Sequence, residues 1–159
     1  MQHYIPKALV MMAPYVNSYR RLTPEMAAPV NTAWGYDNRT TAFRIPTSNA
    51  AGRRVENRRP SSDANPYLAA ATVLAGIHHG LTNKIAPDEP IESNSYEQVE
   101  PSLPTNLRDA LRELDDSEIM ARYISPQYTD IFVACKESEL EEFEHSISDL
   151  EYNWYLHTV

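Results

Sequence analysis

Apolar positions come in blocks along the 159-residue chain, and each block carries its own period. Ala8-Leu9-Val10-Met11-Met12 is a short apolar run stopped by Pro14, with no capping signal ahead of it. From Leu68 to Ile77 nearly every residue is apolar or small, behind Asn65 as a helix cap and Pro66 at the first helical position, with Gly80 as the stop. A helix apolar all round is expected to be buried. His78 and His79 close it and read as exposed end residues facing the negative helix terminus rather than as a metal pair. After a connector from Thr82 to Thr105 that holds four prolines, Leu107, Ala110, Leu111 and Leu114 repeat at the three- and four-residue steps of an amphipathic helix. The stretch from about Pro126 to Leu156 is helical by pattern. Leu140, Phe143, Ile147, Leu150 and Trp154 form one stripe, and the five glutamates between Glu137 and Glu144 lie mostly off it.

One segment alternates instead. Thr40-Thr41-Ala42-Phe43-Arg44-Ile45 is rich in strand formers and is closed by Pro46, and Arg53 to Arg58 follows at a length suited to a return strand. Alternation puts Arg54, Glu56 and Arg58 on one face. Arg44 joins them if the strands pair in suitable register. Several arginines around one carboxylate read either as a solvent face or as a site for phosphate and metal.

Charge sharpens this choice. Residues 1–65 carry nine Lys/Arg against four Asp/Glu, a net of +5, while residues 66–159 carry five against eighteen, a net of −13. Eight of the nine early cations are arginines. Composition is otherwise that of an ordinary globular domain, 42% hydrophobic and 23% charged. No stretch has the roughly 18 apolar residues of a membrane span, and the single Cys135 points to a reducing, cytoplasmic setting. An acidic total and a basic cluster without interleaved aromatics argue against nucleic acid. A small phosphorylated ligand fits better, because guanidinium groups bind phosphate and carboxylate in a planar, two-pronged way. No phosphate-binding Gly-rich loop, dinucleotide fingerprint or metalloprotease helix is found in the sequence.

Six ordered motifs carry a family resemblance: Asn17-Ser18-Tyr19-Arg20-Arg21-Leu22, Ala28-Pro29-Val30-Asn31, Trp34-Gly35-Tyr36-Asp37-Asn38-Arg39, Phe43-Arg44-Ile45-Pro46, Arg54-Val55-Glu56-Asn57-Arg58 and Asp63-Ala64-Asn65-Pro66-Tyr67-Leu68-Ala69. In this order they resemble the catalytic domain of glutamine synthetases, with wording closest to the γ-glutamylputrescine (polyamine) synthetase-like branch. The resemblance implies an α+β fold over residues 1–159, the C-terminal part of that catalytic domain. A few antiparallel strands would lie in an arginine-rich region, 1–65, followed by a mainly helical region, 66–159. It implies an ATP-dependent ligase that activates the γ-carboxylate of glutamate as an acyl phosphate and joins it to ammonia or an organic amine, using ATP and Mg2+ or Mn2+.

By the same resemblance Arg21 holds the substrate glutamate, and Arg39 and Arg44 contact the ATP phosphates and the phosphoryl group in transfer. Arg54 is a further nucleotide-side arginine, Glu56 a ligand of a catalytic metal ion, and Arg58 the arginine over the γ-carboxylate. Arg39 and Arg58 are the catalytic pair in this assignment. Two departures qualify it. Ala27 stands where ammonia-using members carry a flap glutamate, with Glu25 displaced by two, which favours an organic amine. The family's N-terminal domain and earlier catalytic strands, with most metal ligands, find no counterpart in the sequence. The expectation is therefore a piece of a homo-oligomeric enzyme, inactive by itself, with no membrane or nucleic-acid partner. A non-catalytic homologue that assembles with a full-length synthetase, or a phosphate-binding module, are the competing expectations.

Overall fold

The computed structural model describes residues 1–23 and 28–158. The apolar opening forms helix α1 (Ile5–Met12), which has Pro6 in its first turn and no side-chain cap. It lies at the centre of the core. Ala8 to Ala13 are wholly buried, and Lys7 turns outward to Glu113 at 2.6 Å. A one-turn helix, α2 (Val16–Tyr19), follows.

Three short strands form the sheet in the order β1 (Trp34–Tyr36), β2 (Phe43–Ile45), β3 (Glu56–Asn57). β2 and β3 pair antiparallel as the pattern predicts, but both are shorter than the alternation suggested. β1 adds to β2 in parallel, which antiparallel expectations did not anticipate. The chain doubles back within residues 37–42, with Asp37 at φ 51°, a left-handed position that Asp tolerates better than most residues. Trp34 stands opposite Phe43, and Gly35 opposite Arg44.

Helix α3 (Pro66–Thr82) starts where expected, with Asn65 accepting from the N–H groups of Tyr67 and Leu68. It departs from expectation twice. It runs through Gly80 to end at Asn83, followed by Lys84 at φ 52°. It is also covered on one side only. Thr72, Ala75 and Gly76 face α1 and Tyr4, whereas Tyr67, Leu74, Ile77 and Leu81 are exposed. Uniform apolarity is compatible with burial, but the neighbours decide how much of it occurs.

The connector is laced to the sheet rather than loose. Asp88 binds Gln2 and accepts from the Trp34 indole at its carbonyl (2.7 Å), and Ile91 N–H donates to Trp34 O. Helix α4 (Leu107–Asp115) buries the stripe its spacing predicts, Leu107, Ala110, Leu111 and Leu114, against α1 and α6 (Pro126–His145). A short helix, α5 (Glu118–Tyr123), precedes α6 and buries Met120. The long C-terminal helix divides at Ser146–Ser148, where Ser148 caps a new helix, α7 (Asp149–Tyr155). Of the expected stripe only Leu140 enters the core. Phe143, which precedes the break, and Ile147, Leu150 and Trp154 beyond it are exposed, and α7 buries no residue. Among the described residues no helix is long and apolar enough to cross a membrane.

Candidate functional site

The antiparallel register sets Arg44 directly across from Glu56, so both side chains leave the sheet on one face. Arg44 donates from Nη1 to Glu56 Oε2 at 2.9 Å and from Nη2 to Asp37 Oδ1 at 2.6 Å. Arg54 donates to the other Glu56 oxygen at 3.1 Å, and to the Gly52 carbonyl. Three of the residues expected at a site, Arg44, Arg54 and Glu56, thus form one charged cluster. Sequence reasoning missed its fourth member. Asp37 follows β1, and its positive φ aims the carboxylate back at Arg44 and the Thr47 hydroxyl.

The cluster tunes its members. The Arg44 hydrogen bond, with help from Arg54, holds the Glu56 carboxyl below the usual range. The Thr47 hydroxyl and then Arg44 do the same for Asp37. Glu56 and Asp37 together push the Arg44 guanidinium up. Hydrogen bonds to the charged forms, not burial, are the cause.

The other expected residues occupy separate places. Arg39 stands exposed in the turn that follows Asn38. Asn38 anchors that turn by donating to the carbonyls of Ile91 (2.9 Å) and Ser93 (2.7 Å) and accepting from Thr40. Arg58 is partly buried and continues the same-face alternation after Glu56, with its N–H on the Ala42 carbonyl at 2.9 Å. Arg21 is half-buried and donates to the carbonyl of Arg59, one residue further on. Burial lowers its pKa, and the Asp63 charge partly offsets this. The flap positions Glu25 and Ala27 lie outside the described residues. His78 and His79 sit by the aromatic cluster of Tyr4 and Tyr123, with His78 Nδ1 at 2.8 Å from the Tyr123 hydroxyl.

Guanidinium groups on one face can hold phosphate oxygens, which would compete with Glu56 and Asp37 for the same donors. A dication is a different matter. Among the described residues no group of three or more His, Cys, Asp or Glu is placed to hold a metal ion. Both Glu56 oxygens are engaged by arginines, and a hard cation wants about six oxygen ligands. By themselves these residues do not fit the ion.

A hollow of about 330 Å3 lies on the opposite side of the sheet, where Trp34, Phe43, Ile45 and Val55 face Tyr4 and Ile77. Its lining is mostly apolar, with Gln2, His3 and His79 among it, and contains none of the expected site residues.

Comparisons with known proteins point to one family. The family described as "Glutamine synthetase, catalytic domain" matches residues 1–155. The gamma-glutamylputrescine synthetase PuuA of Escherichia coli (strain K12) is 41% identical over 152 residues, which cover 96% of this chain and 32% of that protein. A glutamine synthetase of Methanococcus voltae is 36% identical over 159 residues, 94% of this chain and 36% of the relative. Among solved structures, GmaS in its ADP complex (conformation 1) superimposes with a TM-score of 0.84 at 30% identity, over 98% of this chain and 37% of that one. The chain spans about a third of the length of these relatives.

Proposed function

The chain belongs to the glutamine synthetase catalytic-domain family, and on that premise we propose that it carries the arginine half of the site of an ATP-dependent glutamate–amine ligase. In this reading Arg39, Arg44 and Arg54 hold the nucleotide phosphates. Arg21 and Arg58 hold glutamate, with Arg58 over the γ-carboxylate. A γ-carboxylate oxygen attacks the terminal phosphorus of ATP and ADP leaves. An amine then attacks the acyl carbon and displaces phosphate. Fixed cations facing the transferred group offset the charge that spreads over its oxygens in the transition state, the largest electrostatic contribution such a transfer needs.

The observation that carries this reading is the register of Arg44 with Glu56, which presents a guanidinium braced by two carboxylates on one sheet face. Bracing lowers the freedom Arg44 must give up when it grips a phosphate. Both oxygens of Glu56 are engaged by Arg44 and Arg54. The 41% identity to a γ-glutamylputrescine synthetase favours an organic amine over ammonia, in keeping with Ala27 at the flap. A homo-oligomer with sites at subunit boundaries belongs to the same proposal.

The test is ATP binding to the purified chain by calorimetry, with and without Mg2+. Arg44→Ala is expected to weaken ATP binding about tenfold or more, the scale of losing a charge-assisted bidentate contact. Unchanged affinity in Arg44→Ala would overturn the nucleotide assignment. Turnover is expected to be absent from the chain assayed alone, because among the described residues no group of three or more His, Cys, Asp or Glu is placed to complete a metal centre.

A further inference from the structure

Arg59 follows the last same-face arginine, so alternation sends its side chain the other way, into the protein. It is fully buried. Its main chain is well tied, with the N–H on Asn57 Oδ1 at 3.2 Å and the carbonyl accepting from Arg21 Nη2. Its guanidinium is not. Nε and both Nη atoms are buried without a hydrogen-bond partner among the described residues, and so is the Tyr19 hydroxyl. Of the groups that act on its charge, Arg21 is a second cation, while Tyr19 and Tyr96 act in the opposite direction and more weakly. Asp63, the carboxylate that acts on Arg21, accepts from the hydroxyls of Ser18 and Ser61. Burial, and then the Arg21 charge, push the Arg59 guanidinium down to about 9, which leaves it charged at neutral pH.

An unpaired buried cation is a costly arrangement that an apolar residue of similar volume would relieve. Among the described residues no carboxylate compensates it. Arg21 is the cation that acts on Arg59, and an anion gripped by Arg21 would lower the energy of both.

We propose that Arg59 is a positioning residue for the substrate carboxylate: its carbonyl orients Arg21, and its uncompensated charge strengthens the hold of Arg21 on an amino-acid carboxylate. This rests on the reading of Arg21 as the glutamate-side arginine. Folding stability and carboxylate affinity are then opposed at this position, a pattern a purely structural arginine does not produce.

The experiment uses the purified chain with L-glutamate as the probe, binding measured by calorimetry and the thermal midpoint by scanning fluorimetry. Arg59→Met removes the charge at similar volume. It is expected to weaken L-glutamate binding about tenfold while leaving ATP binding unchanged and the thermal midpoint equal or higher. Arg59→Lys keeps the charge and is expected to stay within about threefold of the parent for glutamate. Wild-type glutamate affinity in Arg59→Met overturns the proposal, as does a loss in Arg59→Lys equal to that in Arg59→Met. Failure of Arg59→Met to fold also counts against it, because an unpaired charge is dispensable to the fold. Arg21→Ala separates the two layers of the argument. If it abolishes glutamate binding while Arg59→Met does not, only this inference falls. If Arg21→Ala binds glutamate normally, or the parent chain does not bind it, the reading of Arg21 falls as well.

Discussion

Asn31 offers a sharp test of how the site loop is held. It is fully buried and works in two directions. Its Nδ2 donates to Ser95 Oγ at 2.9 Å, and its Oδ1 accepts from the Ala33 N–H at 3.0 Å, immediately before β1. Ser95 continues the link by donating from Oγ to the Thr40 carbonyl and from its own N–H to Thr40 Oγ1. Truncation in Asn31→Ala loses the donated bonds to Ser95 Oγ and, at 3.4 Å, to the Thr40 carbonyl, the shorter one worth about 1 kcal/mol net. It also orphans the Ala33 N–H, a penalty of about 1–3 kcal/mol. Asn31→Ala is therefore expected to destabilise by about 2–4 kcal/mol in urea denaturation with an unchanged slope. Ser95→Ala leaves the Ala33 N–H satisfied, and it should cost less than Asn31→Ala. The two share one bond, so the double variant should fall short of the sum. A cost under about 1 kcal/mol for Asn31→Ala, or strict additivity with Ser95→Ala, would refute this account of the loop.

Three further outcomes follow from the packing and the charges. Gly35→Ala would place a Cβ inside van der Waals contact with the Ile91 carbonyl oxygen and against Asn38. It is expected to cost about 1–3 kcal/mol and to loosen the Arg39 turn, read by hydrogen exchange at residues 38–41. Leu114→Ala opens a cavity where α4 meets α1, and a loss of about 2–5 kcal/mol in denaturant is expected. The acid limb of stability should depend on the arginine cluster. Asp37 and Glu56 have folded pKa values depressed below ordinary values of 3.8 and 4.5. The stability they contribute is therefore present above those values and is lost as pH falls through the lower, folded ones. Arg44→Met should flatten the fall of the thermal midpoint below about pH 4.5, and an unaltered acid limb would contradict the pairing.

Much of the site was legible in the residues because alternation along a strand is local. Arg54 beside Glu56, and the cap and start of α3, needed no tertiary information. The same alternation put Arg59 on the opposite face, yet it carries no information about whether a partner waits there. Asp37 escaped notice because its role depends on a left-handed turn that brings it back to Arg44. The periodicity of α4 was decisive, since its polar residues left only one face to bury. That of α3 was not, since an all-apolar cylinder does not say which side is covered.

Alone, then, the sequence settled what depends on neighbours one to four residues apart: the period of each element, its caps, and the arginine-rich front of an acidic chain. Tertiary structure decided the rest. It set Arg44 across from Glu56, ran β1 parallel to β2, divided the C-terminal helix, and sealed the Arg59 guanidinium behind Arg21. The physical reason is range. Side-chain direction follows from local backbone geometry, whereas register and burial follow from which distant segments share hydrogen bonds and apolar surface.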